Sequence, residues 1–183
     1  MTQSARFALR PFLLAVRTAI GATLSARAAP AQGSARILVQ APVDRVWQLL
    51  ADMDRWPSWN PAIDRATLDR ALAPGSVLAW KSQGFRVTST IRTVESHRRL
   101  EWTGVAFGTR AFHSWELQVV DGGVLVSTRE SFTGWLPWLL RGAMQRKLDD
   151  TLPRWLATLK SAAETPATPD GHARMDTPLS MRP

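Results

Sequence analysis

The stretch TRAFHSWELQVVDGGVLVSTRESF, residues 109–132, decides the fold. Its first half alternates, with Ala111, His113, Trp115, Leu117 and Val119 on one parity and Arg110, Ser114, Glu116 and Gln118 on the other. After Asp121-Gly122-Gly123 the alternation resumes: Val124, Val126, Thr128, Glu130 and Phe132 stand against Ser127, Arg129 and Ser131. A period of two marks strands with one buried face, and a glycine-bearing break between two of them marks a hairpin. Residues opposite one another in a hairpin share a face. An Asp121-Gly122 turn pairs His113 with Glu130 and Trp115 with Thr128. A Gly122-Gly123 turn instead puts Glu130 opposite Trp115. In either register the apolar parities meet.

The same test extends upstream. A Phe107-Gly108 turn pairs Trp102 with His113, and strand 99–106 turns Leu100 inward with Trp102. A Gln83-Gly84 turn pairs Trp80 with Val87, joining strand 76–81 (Leu78, Trp80) to strand 85–94 (Phe85, Val87, Ser89, Ile91). With 63–69 this makes a six-strand antiparallel meander. Before it, Arg36–Gln40 reads as a strand, Ala41-Pro42 stops it, and Val43, Val46, Trp47, Leu49 and Leu50 recur at helical spacing. Residues 52–61, broken by two Pro, leave room for one short helical turn. After the meander the period becomes helical from Trp135 to Ala163, with the stripe Leu140, Met144, Leu148, Leu152, Trp155 and Leu159. Pro153 removes one hydrogen bond of that helix and predicts a kink. The fold class is α+β, a sheet whose apolar face is covered by the last helix.

The inward face carries polar groups at its centre. His113 and Glu130, if opposed, have Cβ atoms roughly 4.5–5.5 Å apart. A lone buried Glu titrates high, whereas a paired one is kept charged by a protonated His. The pair reads as a satisfied polar contact in an ordinary core, as the floor of a pocket, or as a catalytic couple. No other chemistry is offered. There is no Cys, which excludes disulfides, zinc–thiolate sites and thiol nucleophiles. His97 and His172 lie in a predicted loop and near the C-terminus, so no three-His metal site is expected. No phosphate- or dinucleotide-binding glycine pattern occurs, and no cofactor is expected.

The ends read differently from the middle. Residues 1–33 hold Arg6, Arg10, Arg17 and Arg27 and no acid, half of the formal charge of +8. Arg17 interrupts the apolar stretch that an export signal needs. An inert leader, a weak membrane-surface helix and a cleaved signal all stay open; the chain is expected to be cytoplasmic, with peripheral membrane contact through residues 1–33 as an option. Residues 165–183, rich in Pro and Thr without periodicity, read as a disordered tail. Over 34–164 Arg and acids interleave, which is a solvated surface and not a nucleic-acid reader. Oligomeric state is not legible.

Val43–Trp47 followed by Asp54-Arg55-Trp56-Pro57-Ser58-Trp59-Asn60-Pro61, Leu100-Glu101-Trp102-Thr103-Gly104, His113-Ser114-Trp115-Glu116-Leu117, Gly122-Gly123, Glu130-Ser131-Phe132-Thr133-Gly134 and a terminal Leu159-Lys160 resembles the SRPBCC (START-like) superfamily. The branch it resembles is the polyketide cyclase/dehydrase and lipid transport branch, over residues 34–164. The resemblance implies a helix-grip fold, a curved antiparallel sheet round a long C-terminal helix with two short helices after the first strand. It also implies an apolar cavity between them. The ligand-binding candidates are then Leu78, Trp80, Val87, Ser89, Ile91, Trp102, His113, Trp115, Thr128, Glu130, Met144 and Leu148. The expected function is binding or carrying a small hydrophobic or amphipathic molecule, a lipid or an aromatic, polyketide-like compound. The alternative is a cyclase or dehydratase with His113 as acid/base and Glu130 as its orienting partner. The absence of Tyr weakens any cyclase mechanism that needs a phenol.

Overall fold

The computed structural model describes residues 29–166. The readings made of the leader and of the tail fall on residues 1–28 and 167–183, which lie outside the described residues. Seven strands, β1 (Ala31–Val39), β2 (Ile63–Leu68), β3 (Val77–Ser82), β4 (Phe85–Glu95), β5 (Arg99–Ala106), β6 (Thr109–Val120) and β7 (Gly123–Thr133), make one antiparallel sheet. Its order is β1-β7-β6-β5-β4-β3-β2, a meander whose last strand pairs with the first strand of the chain. Between β1 and β2 run α1 (Val43–Ala51), a 3-10 turn (Met53–Arg55) and α2 (Trp56–Trp59); α3 (Trp135–Leu139) and α4 (Arg141–Glu164) follow β7. The sheet curves round α4, which is the helix-grip arrangement.

The registers follow side-chain parity. Trp80 faces Val87, Trp102 faces His113, and His113 faces Glu130 with Trp115 opposite Thr128. The β6–β7 hairpin therefore turns on Asp121-Gly122. Gly123 opens β7 at φ +149, where a Cβ would fall 2.1 Å from the Val39 carbonyl oxygen of the neighbouring strand. Only glycine passes there.

Three features depart from the sequence reading. β1 begins at Ala31, not Arg36, and pairs with β7 from Ala31–Phe132 to Val39–Val124. Gly33 belongs to it because α4 crosses there: a Cβ would stand 3.0 Å from Leu152 Cδ1 and 3.3 Å from Leu148 Cβ. The register of β4 on β5 shifts between Ile91 and Thr93. This bulge lets both Ile91 and Val94 turn toward the core. The helix predicted over 135–163 is two helices, divided at Leu140 (φ −111, ψ 32). Leu140 is consequently exposed and leaves the stripe, whereas Leu148, Leu152, Trp155 and Leu159 are buried. Pro153 does not end α4. It lies on the exposed side, so the Asp149 carbonyl that loses its partner faces water.

One half of the space between sheet and helices is solid. Val46, Leu50, Met53 and Trp56 from the α1–α2 segment meet Leu78, Ile91, Leu100 and Trp115 of the sheet and Leu156 and Leu159 of α4. Trp56 is wholly buried; its indole N–H donates to the Leu50 carbonyl (3.1 Å), so the ring is filled in without an orphaned donor.

Candidate functional site

The other half is hollow. A cavity of about 220 Å³ lies between the sheet's inner face and the first half of α4. Trp80, Phe85, Val87 and Ser89 come from β3 and β4, Trp102, Ala111 and His113 from β5 and β6, and Glu130 and Phe132 from β7. Leu136 of α3 and Met144, Lys147, Leu148, Thr151, Leu152 and Trp155 of α4 close it. Space is left by small residues on the inward parity of β5: Gly104 and Ala106 follow Trp102 at intervals of two. A Cβ at Gly104 would already touch Ser89 Oγ at 3.2 Å and Val87 Cγ1 at 3.4 Å.

Eight of the twelve predicted binding residues line this cavity: Trp80, Val87, Ser89, Trp102, His113, Glu130, Met144 and Leu148. Leu78, Ile91, Trp115 and Thr128 do not. They lie on the same face, but they are fully buried away from the hollow. Alternation reports the face of a sheet, not the depth at which packing becomes complete. Lys147, Phe107 and the small residues were absent from the prediction. Lys147 follows Met144 by three and precedes Thr151 by four, a helical spacing that would have placed it on the cavity side.

Aromatic rings build the floor. The His113 imidazole lies 4.7 Å from Trp102 and stacks on Trp115 at 5.5 Å, and Trp155 meets Trp56 edge-on at 5.5 Å and Trp80 at 6.3 Å. The Trp80 indole N–H donates to Ser89 Oγ (3.0 Å), so this polar pair is satisfied at the cavity wall. The Thr128 hydroxyl donates to the Ser114 carbonyl (3.3 Å). Its oxygen is therefore left to accept from His113 Nε2–H at 2.8 Å. That assignment leaves the Nδ1 lone pair facing Glu130 Oε1 at 3.6 Å, beyond a hydrogen bond.

Burial governs both charges. It depresses the His113 imidazole to about 3. It raises the Glu130 carboxyl to about 8, a rise opposed by the positive charge of Lys147. Although the two groups are within ion-pair distance, each loses hydration that the other's charge does not replace. At neutral pH the couple is an uncharged imidazole beside a carboxylic acid that keeps its proton. The 16% of the Glu130 side chain that remains exposed opens on the cavity it lines. Glu130 can thus donate a hydrogen bond to an acceptor inside the hollow. His113, held by Thr128 and almost never protonated at pH 7, is a weak base and a poorly populated acid. Among the described residues no cluster of three His, Cys, Asp or Glu suited to a metal occurs. No helix there is long and apolar enough to cross a membrane.

Solved structures share this architecture. A START superfamily protein from Mycobacterium smegmatis superposes with a TM-score of 0.64 at 14% identity, covering 73% of this chain and 97% of its own. The Zhui aromatase/cyclase from Streptomyces sp. R1128 gives 0.63 at 14% identity, covering 73% and 93%. The Helicobacter pylori protein jhp0584 gives 0.61 at 20% identity, covering 73% and 86%. At such identities the likeness is one of fold. No curated protein matches the chain by sequence. Residues 30–164 match the sequence family described as polyketide cyclase / dehydrase and lipid transport, and the chain belongs to that family.

Proposed function

We propose that this protein binds a compact, mainly apolar molecule in the hollow and carries or presents it without altering it. The observation that carries the reading is an apolar space of about 220 Å³ with one carboxyl, Glu130, in its lining; burial raises that carboxyl to about 8. A cavity of about 150 Å³ admits one benzene ring. The present one therefore suits one to two rings or a short acyl chain, and is small for a two-chain lipid. A carbonyl or hydroxyl oxygen on the guest would accept from Glu130. A guest losing about 300 Å² of apolar surface gains roughly 7 kcal/mol. Association costs at least about 4 kcal/mol. Affinity then rests on the Glu130 hydrogen bond, worth about 1–2 kcal/mol, and falls near 0.1–1 mM for a simple aromatic guest. The lack of Cys accords with a cytoplasmic setting.

Native mass spectrometry of gently purified protein tests this reading. A co-purifying lipid or aromatic metabolite, or saturable quenching of Trp fluorescence by 1-naphthol, supports it. The absence of both a trapped mass and any saturable guest would refute it. The second reading, a dehydratase or cyclase, is favoured by the same carboxylic acid, which holds a proton at neutral pH and can give it to a leaving hydroxyl. On that reading Glu130, not His113, is the acid. Glu130→Gln should abolish turnover while His113→Asn lowers it modestly; a guest recovered with neither the loss of one water nor a change in chromatographic retention, which an isomerising ring closure would cause, rules turnover out.

A further inference from the structure

We infer that the end of the molecule formed by the β5–β6 turn and α3 docks on an anionic lipid bilayer. This surface is separate from the question of what the hollow holds. Phe107 at the turn is 78% exposed and Trp138 74%, and Trp135, Leu139 and Leu140 are exposed beside them. In α3, sequence WLPWL, only Pro137 is buried. Two Trp and a Leu on five residues, facing solvent, are a costly surface unless something apolar meets it. The presentation is rigid. Trp135 meets Phe107 edge-on at 5.4 Å, and the Leu136 N–H donates to the Gly108 carbonyl (3.2 Å). Gly108 has no room for a side chain, since a Cβ would fall 2.6 Å from the Trp135 ring.

Charge decides the occupant. From Ser131 to Leu148 the chain holds Arg141, Arg146 and Lys147, all exposed, and no acid; the exposed Asp149 and Asp150 follow further along α4, away from α3. Lys147 stands 5.1 Å over the exposed Phe85 ring at the cavity mouth. Ala31 pairs with Phe132, two residues before Gly134 and α3; the sequence ahead of Ala31 carries Arg6, Arg10, Arg17 and Arg27 and no acid. That segment is of like charge to the rim and does not complement it. A second copy would also set cationic rims against one another. A negatively charged bilayer attracts both, and exposed Trp and Leu beside Arg and Lys are the residues that insert at the lipid–water boundary. Phe85, Phe107 and Leu136 line the hollow as well. Docking would thus bring the cavity mouth against the lipid.

The test is co-sedimentation of the full chain with phosphatidylcholine vesicles, with and without phosphatidylglycerol. Binding should require phosphatidylglycerol and weaken as salt rises. The double substitution Trp138→Asp and Leu139→Asp, at exposed positions, should lower partitioning by about tenfold or more with unchanged circular dichroism. Arg141→Glu with Arg146→Glu should do likewise. Because the chain has no Cys, Trp138→Cys carries a single nitroxide label. The label should be open to an aqueous relaxant in buffer and shielded from it on vesicles. Failure to bind anionic vesicles, or equal binding by the variants, overturns the inference. So does a label already shielded in buffer, which would mean that the N-terminal segment or a second copy covers the patch.

Discussion

Replacing Glu130 by Gln should remove the alkaline limb of the protein's stability profile. The carboxyl is raised from 4.5 to about 8 by burial. Below pH 4.5 both folded and unfolded chains hold the proton. Between 4.5 and 8 only the folded chain holds it, so folding stability falls as pH rises. His113, lowered from 6.5 to about 3, acts with the opposite sign. Between 3 and 6.5 the unfolded chain binds the extra proton, and stability falls as pH falls. From pH 4.5 to 6.5 the two slopes cancel. From 6.5 to 8 only Glu130 remains, and 1.5 pH units at 1.36 kcal/mol each give a loss of about 2 kcal/mol. With no Cys and no Tyr in the chain, few other side chains titrate in that window. Urea denaturation followed by Trp fluorescence, at half-unit steps of pH, measures it. The wild type should lose about 2 kcal/mol between pH 6.5 and 8, and Glu130→Gln should be flat. A flat wild-type profile, or a slope that survives in Glu130→Gln, would mean that Glu130 does not hold its proton in this range. On the acid side, Asp69, Glu95 and Glu164, held low by Arg70, Arg99 and Lys160, add to the loss that His113 causes.

Lys147→Met removes the cation that opposes the rise at Glu130 and should move the alkaline limb to higher pH, as the same denaturation series would read. Gly33→Val thrusts methyl groups into Leu148 and Leu152 where α4 crosses β1. It should cost about 1–3 kcal/mol in urea, and a neutral result would place the helix further from the strand. Gly104→Leu projects into the hollow beside Ser89 and Val87. It should abolish 1-naphthol quenching of Trp fluorescence while circular dichroism is retained; quenching that persists would put the guest elsewhere.

The hairpins were legible because a one-residue slip would have set Trp102 against an exposed partner, so the polarity of each strand fixed its neighbour's register. The bulge after Ile91 left no mark, since Arg92 and Thr93 are both polar and fit either count. The division at Leu140 was equally silent: Leu140 fits the apolar stripe by spacing, yet only backbone geometry turns it outward. Gly33 falls at the end of the leader in the sequence reading, outside the strand over Arg36–Gln40, because the helix that needs its missing side chain is visible only in the structure. Within the site, parity placed Trp80, Trp102, His113 and Glu130 on one face. It could not tell them from Leu78 and Trp115, because filling or lining a space depends on what α1 and α2 bring from the far side. The run Trp102, Gly104, Ala106 was the available sign of the hollow, large beside small on one inward parity.

Sheet and helix enclose empty apolar room. Diffraction from a crystal pressurised with xenon measures this directly, because xenon enters dry apolar cavities. A xenon site bounded by Trp80, Trp102, Phe132 and Leu148 is expected. Xenon absent from that space, with those side chains packed against one another across it, would show that no such cavity exists.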